Sequence, residues 1–209
     1  MGQVALLFAG QGAQKPGMGR EIYEASPAAR AVMDEIEALR PGTLLQLRDA
    51  AALATTRDAQ PCLFAADLMC AAAAVEAGLR PDAAAGFSLG EWAAAAFSGA
   101  LPLPRALALV ARRAEWMQSC ADQRPGGMVA VLRLPADAVL ALCAELPEAW
   151  PANYNSPEQT VVSCPLDVLP ALVRRAQALG GRAIRLNVAG AFHSPLMAPA
   201  AGRLAAALA

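Results

Sequence analysis

The segment Gly86-Phe87-Ser88-Leu89-Gly90 leaves the surrounding chain few choices. A serine with glycine two residues to either side fits a sharp turn from strand to helix, where flanking side chains would collide. Its neighbours agree: an apolar run over residues 83–86 precedes it, and an alanine-rich helical stretch over residues 91–97 follows. Such a turn exposes the Ser88 hydroxyl at a helix N-terminus and aims the next backbone N–H, that of Leu89, where an oxyanion would form. A serine becomes a nucleophile only beside a base that takes its proton, and the chain has a single histidine, His193. A lone histidine often does no more than satisfy a hydrogen bond in a loop or core. His193, however, follows a β-like run over residues 183–188 and a small-residue turn, Ala189-Gly190-Ala191, ahead of a helix that Ser194 can cap. Pro195 or Pro199 falls near that helix's first turn. A loop at a strand end is where α/β scaffolds carry reactive groups.

The bulk properties narrow the field. With 56% hydrophobic and 17% charged residues, the 209-residue chain reads as a well-buried globular protein with one large domain or a core plus a smaller insert. The net charge of −1 comes from mixed signs with no basic stripe, which argues against a nucleic-acid partner. No uninterrupted apolar run reaches membrane-span length, and the first residues lack the pattern of a secretory signal, so no membrane partner and a cytoplasmic location are expected. Cys62, Cys70, Cys120, Cys143 and Cys164 are widely spaced among apolar residues without a C-x-x-C, and read as buried reduced thiols. With one histidine, no metal site is expected.

The opening run over residues 4–9 reads as a short buried strand ending at Gly10-Gln11-Gly12-Ala13-Gln14. That loop is no phosphate cradle: Met18 stands where a P-loop needs lysine, and the dinucleotide fingerprint lacks its third glycine. Helices are predicted over residues 19–39, 61–77 and 104–120, with Gly78 closing the second. On the third, Arg112 can pair with Glu115. Arg113 faces Leu109, Val110, Trp116 and Met117, where a guanidinium needs an anion. That anion is either a structural carboxylate or a substrate carboxylate. After Gly126-Gly127 the rhythm changes. Strands over 129–134, 152–154, 160–163 and 183–188 alternate with helices over 136–146 and 166–179, in the β-α-β-β-α-β order of a ferredoxin-like unit.

Taken in order, these pieces resemble the malonyl-CoA:acyl-carrier-protein transacylases, the acyltransferase family of fatty acid and polyketide synthesis. The resemblance rests on Phe8-Ala9-Gly10-Gln11-Gly12-Ala13-Gln14, on Thr56 to Gln60-Pro61, on Gly86 to Glu91 and on Arg113 to Met117-Gln118. It continues through Asn153-Tyr154-Asn155-Ser156-Pro157 and Phe192-His193-Ser194-Pro195-Leu196-Met197. It implies an α/β fold: a hydrolase-like core with a parallel sheet, residues 1–124 and 189–209, plus an inserted ferredoxin-like α+β subdomain at 125–188. It also implies Ser88 as the acylated nucleophile and His193 as general base and later acid. Gln11 and the Leu89 N–H would line the oxyanion hole, and Arg113 would hold the malonyl carboxylate through a bidentate pair. Phe192 resembles the bulky residue with which the family crowds an α-methyl substituent. The partners implied are malonyl-CoA and an acyl carrier protein. Coenzyme A enters as a thioester substrate rather than a cofactor, no tightly held cofactor is implied, and a monomer is favoured.

Three departures stand out. Phe87 replaces the histidine the family usually has before the nucleophile, and Trp92 stands where a tyrosine is often found. The chain also ends at Ala209, soon after His193, so the core is expected to be incomplete at its C-terminus. The stretch around residues 41–58 reads as shorter than usual. Two other readings share parts of the pattern. A serine esterase or thioesterase would need an acid between Ser88 and His193, and Glu115, Asp122, Asp137 and Asp167 meet that order. A non-catalytic domain that binds a carrier protein is the other.

Overall fold

A computed structural model describes residues 2–209. The chain divides into two compact units, one ending at Glu115 and the other spanning Trp116–Ala209. In the first, β1 (Ala5–Phe8) and β2 (Ala83–Gly86) pair in parallel, with Ala5 opposite Ala83 and Phe8 opposite Gly86. Successive strand residues point to opposite faces, and the helices cover only the face carrying Leu6, Phe8 and Ala84. The strand expected to be buried over residues 4–9 is therefore buried on one side only. Phe8 packs its ring 5.6 Å from that of Phe97, while Leu7 is 80% exposed.

The helix expected over residues 19–39 is two helices, α1 (Arg20–Ala25) and α2 (Pro27–Leu39). Proline disfavours helical backbone at the residue before it, and Ser26 is extended at φ −110°, ψ 116°. Ser26 turns that break into a cap: its Oγ accepts the Ala29 N–H at 3.0 Å and donates to Glu76 Oε2 at 2.5 Å. Two short helices, α3 (Thr43–Gln46) and α4 (Ala50–Leu53), occupy the stretch left unassigned by sequence. The central helix α5 (Thr56–Glu76) starts five residues before the expected position. Thr55 caps it by accepting the Asp58 N–H at 3.2 Å, so Pro61 lies in the second turn instead of at the start. By length and apolar composition α5 could cross a bilayer. Most of it is buried instead, with Cys62, Phe64, Ala65 and Met69 at zero exposure beside Met33 and Ile36 of α2. Burying the larger of these, such as Phe64, Met69, Met33 and Ile36, stabilises by roughly 1.5–3 kcal/mol each. After β2 come α6 (Gly90–Phe97) and α7 (Leu103–Gln123), a helix in which the boundary between the two units falls.

The second unit holds an antiparallel sheet with strand order β4-β5-β3-β6, built from β3 (Gly126–Leu132), β4 (Trp150–Ser156), β5 (Gln159–Pro165) and β6 (Arg182–Arg185). With α8 (Ala136–Ala144) after β3 and α9 (Leu169–Ala178) after β5, this is the ferredoxin-like arrangement expected from the element order. Gly126 and Gly127 lie inside β3 and do not precede it. A Cβ on Gly126 would stand 2.7 Å from the Ala191 Cβ, and one on Gly127 would stand 3.0 Å from Leu169 Cδ1, so glycine here permits close packing. Strand β6 ends at Arg185, three residues short of the expected end, leaving residues 186–194 without regular structure. One sheet face packs Val129, Val131 and Val162 against α8 and α9. The other packs Met128, Ala130 and Val161 against Phe192, Met197 and Ala200. The chain closes with a 3-10 turn (Pro195–Met197) capped by Ser194, then α10 (Ala198–Leu208).

Candidate active site

Within the first unit, Ser88 follows the C-terminal end of β2, and Gln11 lies beyond the C-terminal end of the paired strand β1. The carboxyl ends of parallel strands are where α/β sheets present ligands with reactive groups. The turn at Ser88 is as tight as the glycine spacing implies. A Cβ on Gly86 would meet the Gly90 carbonyl carbon at 1.9 Å, and a Cβ on Gly90 would meet the Phe8 oxygen at 2.3 Å. Ser88 itself has φ +53°, a left-handed conformation that a non-glycine residue adopts at a penalty of about 1–3 kcal/mol. Gly10 belongs to the same construction, since a Cβ there would lie 2.6 Å from the Phe87 carbonyl oxygen.

The Leu89 residue is fully buried, yet among the described residues its N–H donates to no acceptor. As the N-cap of α6, Leu89 has a donor that the helix itself cannot satisfy, beside the candidate nucleophile. The Gln11 side chain is tied down at both ends. Its Nε2 donates to Thr56 Oγ1 at 3.2 Å, and its Oε1 accepts from Gln60 Nε2 at 3.3 Å. Gln60, wholly buried on α5, also accepts from Arg113 Nη1 at 2.5 Å. Arg113 Nη2 in turn donates to Ser88 Oγ at 3.2 Å. One hydrogen-bonded path thus runs from the loop after β1 through α5 and α7 to the serine. Thr56 and Gln60 have no role assigned from sequence; the signal that marks them is polarity inside a largely apolar, buried helix.

Arg113 settles part of the question its sequence left open. Among the described residues no carboxylate lies within ion-pairing distance of it. Burial pushes its pKa down to about 10, with Glu91 acting weakly in the opposite direction, so it stays charged at neutral pH. A half-buried cation held by one amide and one hydroxyl keeps N–H donors over for an incoming anion. Arg112, by contrast, is exposed, and the pair with Glu115 is absent from the ion pairs of the described residues.

Phe192 and His193 belong to the second unit. Phe192 is 4% exposed and packs with Met117, Met128 and Met197. His193 is exposed and, like Ser88, has positive φ, at +55°. Ser194 caps the following turn as expected, accepting the Leu196 N–H at 3.3 Å. The cysteines are all free, and burial raises Cys62 to about 12 and Cys143 and Cys164 to about 11, which makes them poor nucleophiles. Cys70 departs from the expectation of burial and is exposed, although its neighbours Met69 and Ala71 are buried.

A serine held in a strained strand-to-helix elbow at the end of a parallel strand defines a class of α/β proteins that work through a nucleophilic hydroxyl. Residues 5–209 match the acyl transferase domain family, and the chain belongs to it. It is 37% identical over 212 residues to the malonyl CoA-acyl carrier protein transacylase of Bacillus subtilis, an alignment covering 98% of this chain and 67% of the relative. It is 36% identical to a phenolphthiocerol synthesis polyketide synthase of Mycobacterium marinum, covering 95% of this chain and 10% of that much longer protein. The crystal structure of the malonyl CoA-acyl carrier protein transacylase of Clostridium perfringens superposes with a TM-score of 0.91 at 32% identity, covering 99% of this chain and 67% of that one. The chain thus spans about two thirds of the length of the free-standing transacylases it matches.

Proposed function

We propose that this chain moves a malonyl group from coenzyme A to the phosphopantetheine thiol of an acyl carrier protein, through an acyl-serine on Ser88. In the first half-reaction Ser88 Oγ attacks the thioester carbonyl as His193 takes its proton. The new C–O bond forms, the C–S bond breaks, and coenzyme A leaves as a thiol with the proton His193 returns. The carrier thiol then reverses these steps, and Ser88 recovers its proton. The Leu89 N–H and Gln11 serve the oxyanion, and Phe192 crowds substituents on the α-carbon, its ring kept rigid by packing. The reading needs no metal or bound cofactor, and the free thiols fit a reducing, cytoplasmic setting.

The observation that carries the reading is the 3.2 Å separation of Arg113 Nη2 from Ser88 Oγ. Attack needs the reacting carbon about 3–3.5 Å from the hydroxyl. A guanidinium that close can grip a carboxylate only two bonds beyond that carbon, which is the length of malonyl. A simple esterase has no use for such a cation. The test is intact-protein mass after exposure to malonyl-CoA. One malonyl adduct is expected on the wild type and none on Ser88→Ala, with release to a carrier-protein thiol faster than release to water. An adduct that persists on the variant would remove Ser88 from its role.

A further inference from the structure

We infer that Ser163 is a positioning residue for His193. This rests on the reading of His193 as the base. Its physical basis lies within the second unit. His193 is held at φ +55°, and a non-glycine residue stays in that region only where its surroundings over-determine it. Regular structure supplies little of that hold. Residues 186–194 lie outside any helix or strand, and their backbone makes few bonds to backbone: Leu186 N–H to Met128 O at 2.9 Å, Val188 N–H to Leu186 O at 3.1 Å and Met197 N–H to Ser194 O at 2.9 Å. Two serine hydroxyls on consecutive carbonyls add to that hold. Ser194 Oγ donates to Ala191 O at 2.6 Å, and Ser163 Oγ donates to Phe192 O through a very short bond.

The second of these acts directly on the histidine. The Phe192 carbonyl belongs to the peptide plane that ends at the His193 nitrogen, so fixing that oxygen fixes the plane from which φ of His193 is measured. With the plane and φ both set, the direction of the Cα–Cβ bond that carries the imidazole follows. Ser163 is a rigid anchor. It has no exposure, and β5 is hydrogen-bonded on both sides, with Ser163 opposite Met128 of β3 and Trp150 of β4. Its strand alternation places it on the same face as Val161 and Met128, which pack against Phe192. An alanine or valine would fill this place in the core without a buried hydroxyl to satisfy, so packing alone does not account for serine here.

Because the chain has a single histidine, one set of imidazole resonances reports on His193 alone, whether or not acyl transfer occurs. Three variants of the full chain separate position from packing: Ser163→Ala, Ser163→Thr, which keeps a hydroxyl, and Ser163→Cys, which keeps the shape of the side chain at slightly larger size but donates weakly. Ser163→Ala and Ser163→Cys are expected to slow malonyl transfer about tenfold or more while KM for malonyl-CoA stays within about twofold, and to move the imidazole titration midpoint. Ser163→Thr is expected to restore both towards wild type. If alanine and cysteine variants titrate as the wild type does, or if threonine is as impaired as alanine, the positioning role is overturned. A wild type that transfers no malonyl defeats the functional reading instead, and the imidazole titration then still decides the role of Ser163.

Discussion

Arg113 is the residue on which the proposed choice of substrate turns. Its neighbours along α7 are apolar, its hydrogen-bond partners are neutral, and burial pushes its pKa down only to about 10, so it carries an uncompensated charge beside Ser88. Removing one member of a largely desolvated charge pair typically costs about 3–5 kcal/mol, or roughly 150-fold to 5000-fold in rate. Arg113→Ala is therefore expected to reduce malonyl transfer by about that factor and to leave acetyl transfer unharmed or improved, measured as kcat/KM for the two thioesters. An equal loss for both acyl groups would show that Arg113 serves the fold and not the carboxylate.

At the scale of elements, the junction of β2 with α6 works because two glycines let backbone meet backbone. Gly86→Ala places a methyl 1.9 Å from the Gly90 carbonyl carbon, which neither strand nor helix can yield without moving. Overpacking that cannot relax should destabilise by about 3 kcal/mol or more and disorder the turn that holds Ser88. Gly202 is the control. It sits within α10, a Cβ there meets nothing within 4 Å, and Gly202→Ala should stabilise by about 0.5–1 kcal/mol through helix propensity. Urea denaturation of the two variants checks both signs. The α1–α2 break follows the same logic in reverse, since Pro27 ends one helix and Ser26 begins the next.

For the whole molecule, the Asp67 carboxyl contributes a pH dependence to stability. Its Oδ1 accepts the Ala9 N–H at 3.4 Å, its Oδ2 is buried without a partner, and burial pushes its pKa up to about 6. On the same helix, burial pushes the Cys70 thiol up and the carboxyl of Asp67 adds to that upward shift. A carboxyl that binds its proton more tightly in the folded state stabilises the fold fully below its unfolded value of about 4. That contribution is lost as pH rises through about 6. Asp67→Asn cannot titrate, so its melting temperature should gain on the wild type by about 4 °C or more between pH 4 and pH 7.5. A gap that stays constant over that range would rule out Asp67 as the cause.

Sequence alone determined the elbow, the β-α-β-β-α-β order and the identity of the candidate nucleophile and base. Each is a local matter: glycine spacing, hydrophobic rhythm and the presence of one imidazole in the chain. Tertiary structure decided what lies far apart in the chain. It showed that Gln11, Thr56, Gln60 and Arg113 form one hydrogen-bonded path to Ser88, and that Ser163 holds the peptide before His193. It also showed that Leu7, apolar like its neighbours, lies on an uncovered face. Periodicity says which side of an element is apolar. Only packing says what stands opposite that side, because a buried polar group chooses its partner by distance in space and not by separation along the chain.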